Sequence, residues 1–119
     1  TTMNKRDIEN KAEAVLALAE DATDPKKQFC TIWNGTVKPA LQLIKIITGA
    51  KTDTAIEKLE HSADMVCDGN HPDVKNFCEV WSQYKIKSIL TLLKKLTGKK
   101  TDKAIDKFIQ IAESFCPVN

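Results

Sequence analysis

The chain contains two copies of one pattern, each with a cysteine near either end. Phe29-Cys30-Thr31-Ile32-Trp33 returns as Phe77-Cys78-Glu79-Val80-Trp81. Residues 41–67 align with 90–116 at an offset of 49, with 13 of 27 positions identical. The Phe-Cys blocks stand 48 apart, so the copies differ by one residue between 34–40 and 82–89. A unit of about 40 residues is the size of a helical-hairpin repeat. Two copies do not make a solenoid, and the unit carries none of the common repeat signatures.

Each unit reads as two helices around a tight turn, which gives unit one over 25–67 and unit two over 72–116. Pro25 and Pro72 suit a first helical position, where a missing N–H costs nothing, and Asp24 and His71 precede them. In unit two, Val74, Phe77, Cys78, Trp81, Ile89, Leu92, Leu93 and Leu96 follow at three- and four-residue steps and predict one helix ending at Gly98. The returning helices carry Ala55, Ile56, Leu59, Ala63, Val66 and Ala104, Ile105, Phe108, Ala112, Phe115. Gly49 and Gly98 sit where a left-handed residue would close a helix, and Thr52 or Asp53, with Thr101 or Asp102, are placed to cap the next one. In unit one, Gly35 and Pro39 interrupt the first helix and predict a kink or break at 34–39. A further helix over 4–21, striped by Ile8, Ala12, Val15, Leu16 and Ala19, is expected to cover the groove between the hairpins. The expected fold is a single all-α domain over 1–119, of about five helices.

Spacing also pairs the cysteines. In each hairpin the turn lies midway between them, and two arms of about 18 residues at about 1.5 Å per residue bring their ends together. The expected bridges are Cys30–Cys67 and Cys78–Cys116, out of three possible connectivities. Cystines of this kind persist in oxidising compartments, which points to secretion, as does an opening Thr1-Thr2 where an initiator Met would stand. The competing zinc reading has wide ligand spacings, no Cys-x-x-Cys and only His61 and His71 to draw on.

The chemistry that the sequence excludes is broad. No Gly-rich phosphate loop, Gly-x-Ser-x-Gly or His-Glu-x-x-His occurs, so an enzyme reading has no starting point and no cofactor is expected. No apolar run approaches the roughly 18–20 residues of a membrane span. Nine Lys face five acidic residues in 72–119, against nine basic and eleven acidic in 1–71. That surplus is modest and its helical spacing reads as a solvated helix face; with no sequence-reading motif and a charge far below the usual basic footprint, nucleic-acid recognition is not expected. Trp33, Trp81, Phe29 and Phe77 read as core, with the lining of an apolar pocket as the alternative. Asn34-Gly35-Thr36 is a glycosylation sequon. Lys94, Lys95, Lys99, Lys100 and Lys103 gather at the second hairpin tip, where the first copy has Lys45, Ile46, Ala50, Lys51 and Thr54; they form the candidate contact surface for an acidic partner.

With its four cysteines, its Phe-Cys-x-x-Trp block and its closing Ile-Ala-Glu-Ser-Phe-Cys, the chain resembles the anopheline mosquito salivary family that includes anophensin and albicin. The resemblance covers most of the chain. It implies a secreted salivary inhibitor of host plasma proteins that works by binding. Within that family some members block the alternative complement pathway at its C3 convertase and others block contact-phase activation of factor XII and kallikrein. The compact size favours the complement branch. A carrier of a small apolar ligand is the alternative from outside the family.

Overall fold

The computed structural model describes residues 5–68 and 73–116, and every regular element among them is helical. The chain runs through α1 (Lys5–Asp21), α2 (Pro25–Ile32), a π-helical stretch (Trp33–Val37), α3 (Lys38–Ile44), α4 (Ala50–Val66), α5 (Val74–Gln83), α6 (Ile86–Leu96) and α7 (Lys99–Phe115). Because α2, the π stretch and α3 continue one another, these elements form six rods. The sequence predicts about five, and the extra rod arises in the second copy.

The kink or break expected over 34–39 takes the form of the π-helical stretch Trp33–Val37, and the outright break is at Tyr84-Lys85. Pro39 offers no N–H to the Gly35 carbonyl, and its ring would crowd that oxygen in a regular helix. The helix widens by one turn instead of stopping, and the Lys38 N–H reaches the Trp33 carbonyl, five residues back. In the second copy nothing widens, and its additional residue is expelled. The Tyr84 N–H still bonds to the Val80 carbonyl at 3.1 Å, then Lys85 turns left-handed at φ 51°, ψ 49° and α6 starts afresh. A lysine in that region is strained relative to helix or strand. Both devices fall in the segments where the repeat offset changes.

The turns also differ from expectation. Gly49 and Gly98 are extended, at φ −83°, ψ 177° and φ −80°, ψ 176°, and precede α4 and α7 as N-cap residues instead of closing the helices before them. Thr48 and Thr97 stand at those ends. Their hydroxyls lie 2.9 and 3.1 Å from the carbonyls of Ile44 and Leu93, and 3.0 and 2.8 Å from the carboxylates of Asp53 and Asp102. So the acidic residues brace the turn through a threonine. At the hairpin starts, Asp24 accepts from the Lys26 N–H at 2.9 Å with Pro25 in the first turn of α2. Asp73 accepts from the Asn76 N–H at 3.0 Å ahead of α5, while His71 and Pro72, expected to start that helix, lie outside the described residues.

The copies lie across one another, with α4 of the first against α5 of the second and α7 of the second against α2 of the first. Helix α1 is laid against α7 on one side and α2 and the π stretch on the other, burying Ile8, Ala12 and Ala19. Its approach is close enough that a Cβ on Gly35 would come within 2.7 Å of Val15 Cγ2. Bridges Cys30–Cys67 and Cys78–Cys116 close the open ends of the hairpins, with Cα atoms 5.7 and 5.3 Å apart. Between them the aromatic rings meet. Phe29 stacks on Phe108 at 4.7 Å, sits edge-on to Phe77 at 5.1 Å and tilts against Phe115 at 5.5 Å, and Trp33 and Trp81 flank Phe108 at 5.8 and 6.5 Å.

Candidate surface sites at the hairpin tips

All four cysteines are consumed in the bridges, so none is a thiolate ligand for zinc, and no group of three or more metal-ligating side chains occurs among the described residues. His61 is exposed on α4. Phe29, Trp33 and Phe77 are fully buried against other rings, and Trp81 is partly buried among them, so these rings serve as packing. Asn34 is exposed on the π stretch, while Thr36 of the same sequon is buried. Among the described residues no helix is long and apolar enough to cross a membrane. What distinguishes one part of the exterior from another is the pair of hairpin tips.

The lysines of the second tip differ in their surroundings. Lys94 is paired with Asp106, and the Lys100 ammonium lies 3.2 Å from Glu13 of α1. Lys95, Lys99 and Lys103 are exposed. The repeat also copies some of its ion pairs: Lys38–Asp64 at 3.0 Å in the first hairpin recurs as Lys87–Glu113 at 3.2 Å in the second. Exposed pairs of that kind contribute little each. In the first hairpin Asp64 additionally accepts from the Trp33 indole N–H at 2.9 Å, tying the core to the surface.

Sequence reasoning missed Glu9. From α1 its carboxylate reaches the start of α7, accepting from the N–H groups of Lys100 and Thr101 at 2.8 and 3.1 Å and from the Thr101 hydroxyl at 2.7 Å. The first N–H groups of a helix have no partner within it and carry a partial positive charge, so a carboxylate there is doubly favoured. Burial pushes the Glu9 carboxyl up, but the Thr101 hydroxyl, the two N–H groups and the Lys100 charge outweigh it and hold the group below its ordinary value. Gly98 makes room for this contact, since a Cβ there would fall 2.5 Å from the Glu9 carboxylate. No local motif announces a cap supplied by a residue some ninety positions away.

Two predictions follow from that geometry. Gly98→Ala should displace Glu9 and cost about 1–2 kcal/mol, whereas Gly49→Ala, with nothing within 4 Å of its Cβ position, should change stability by less than about 0.5 kcal/mol. Urea midpoints of the two variants test this, and equal losses would dismiss the crowding account. The Glu9 carboxyl is depressed in the folded chain, so its contribution is present above the unfolded value and disappears as pH falls through the folded one. Glu9→Ala should therefore be less stable than the parent at pH 7 and nearly equal to it at acid pH, well below the ordinary value of 4.5. A gap that persists in acid would mean that packing and not charge carries the effect.

The two tips thus share the Thr-Gly-x-Lys-Thr-Asp turn and differ in covering: α1 reaches the second, while the first carries exposed Ile46 and Ile47. Neither a protein-family model, nor a curated protein, nor a solved structure matches this chain.

Proposed function

We propose that the chain is a secreted inhibitor that acts by binding and not by turnover, docking its helical exterior onto the assembled C3 convertase of the alternative complement pathway. The observation that carries this reading is the division of labour between core and surface. The large rings are used against one another and each hairpin is closed by its own cystine, so the interior is a stapled support. On that support the two duplicated tips present different faces: Lys95, Lys99 and Lys103 on one, Ile46, Ala50 and Thr54 on the other. A pre-ordered scaffold loses little freedom on binding, which is the property an inhibitor needs. The Phe-Cys-x-x-Trp block and the closing Ile-Ala-Glu-Ser-Phe-Cys support the choice of a blood-feeding inhibitor, and the cystines support an extracellular setting.

The purified protein at micromolar concentration should suppress complement lysis of rabbit erythrocytes in human serum. Undiminished lysis would remove the convertase as target. A prolonged contact-activated clotting time with lysis unchanged would transfer the reading to factor XII and kallikrein.

A further inference from the structure

The two tips share the Thr-Gly-x-Lys-Thr-Asp turn with its glycine in the same conformation, and only the second turn is capped from another helix. At the second, α1 supplies two carboxylates four residues apart: Glu9 on the Lys100 and Thr101 N–H groups and Thr101 hydroxyl, and Glu13 at 3.2 Å from the Lys100 ammonium. At the first, Gly49, Lys51 and Thr52 repeat Gly98, Lys100 and Thr101 residue for residue. Gly49 is at φ −83°, ψ 177° against φ −80°, ψ 176° for Gly98, and nothing lies within 4 Å of its Cβ position. The place that the Glu9 carboxylate fills beside Gly98 is open beside Gly49.

A second observation concerns the apolar surface at the same place. Ile46 and Ile47 are 77% and 66% exposed, the highest values among the exposed large hydrophobic side chains of the described residues. The duplicate tip has Lys95 where Ile46 stands, Lys99 for Ala50 and Lys103 for Thr54. Those lysines stay exposed even though α1 reaches their tip, whereas the equivalent first-tip positions carry no charge and Ile46 is apolar; Ile47 is matched by Leu96. Isolated exposed isoleucines would be unremarkable; here they adjoin an unoccupied copy of a carboxylate cradle.

We propose that the first hairpin tip is a docking site for a helical segment of a partner protein that carries two acidic residues four positions apart with apolar neighbours. One acid takes the N–H groups of Lys51 and Thr52, the other takes the Lys51 ammonium, and the apolar neighbours cover Ile46 and Ile47. Charge selects this occupant over a second copy of the chain joined tip to tip. A second tip would offer Lys51 and the start of α4 another lysine and another helix start, and no carboxylate beyond Asp53, which already accepts from Thr48. The inference stands whether or not the partner is the convertase.

The probe is a synthetic peptide of the α1 sequence, residues 5–21, which holds Glu9 and Glu13 at the required spacing, titrated into the full isotope-labelled chain and followed by amide shifts. Saturable shifts at Ile46, Ile47, Lys51 and Thr52 are expected, weakened at least about tenfold by Ile46→Lys in the protein or by the paired Glu9→Gln, Glu13→Gln change in the peptide. Ile46→Lys places at an exposed position the residue its duplicate already has, so the variant keeps its fold. No shift at millimolar peptide, or shifts only at Lys100 and Thr101, would overturn the proposal. So would sedimentation as a dimer that Ile46→Lys dissolves, which would make a second copy the occupant.

Discussion

Phe29→Ala is expected to destabilise the chain by about 3–5 kcal/mol. Phe29 belongs to the first copy, but the three rings packed on it, Phe77, Phe108 and Phe115, all belong to the second. Its removal leaves a cavity at the junction of the copies, walled by rings anchored on α5 and α7 that cannot close in. Phe115 is only partly buried at the margin, and its truncation should cost clearly less, about 1–2 kcal/mol. Phe29→Leu keeps most of the volume and should stay within about 1.5 kcal/mol of the parent. Urea unfolding of the three variants gives the ranking. A Phe29→Ala loss below that of Phe115→Ala would show that the copies are not held together through this ring.

The second large effect belongs to the cystines. Replacing Cys78 and Cys116 by alanine opens a loop with a sequence separation of 38 and should cost about 3–4 kcal/mol, seen as a fall in Tm of roughly 10–20 °C. The first bridge closes 37 residues, so the Cys30, Cys67 pair should cost nearly the same. A domain of this size has about 5–15 kcal/mol in all, so removal of both bridges is expected to leave little folded chain at 37 °C. The readout is thermal unfolding with and without reductant. If reduction leaves Tm within about 3 °C, the helices hold without their staples and the oxidising compartment loses its structural reason.

Much of this fold is legible in the chain because duplication supplies its own control. The matched Phe-Cys blocks, the three- and four-residue steps and the midway Thr-Gly turns lead to helical hairpins and to the pairing of Cys30 with Cys67 and Cys78 with Cys116. The interruption near Pro39 was legible only as a conflict. A proline lacking an N–H requires the helix to yield, but the periodicity does not say whether it breaks or widens; in the structure it widens, where Val15 lies close against Gly35. Nor could spacing assign a left-handed conformation to Lys85, a residue type that seldom adopts it. Gly49 and Gly98 were misread for a related reason: glycine serves in a left-handed turn and also as an extended N-cap, and the passing Glu9 carboxylate is a further use that Gly98 alone has. The five lysines at the second tip were visible as a cluster, whereas their division between paired and exposed members depends on Asp106 and on α1.

The crossed arrangement of the copies bears on how such a chain arose. A solitary hairpin of this type would leave bare the flank on which its sister's helix now rests, and Phe29 without Phe77 and Phe108 would face water. A lone unit would need a twin to hide those surfaces, and carrying both in one polypeptide makes the encounter intramolecular instead of concentration-dependent.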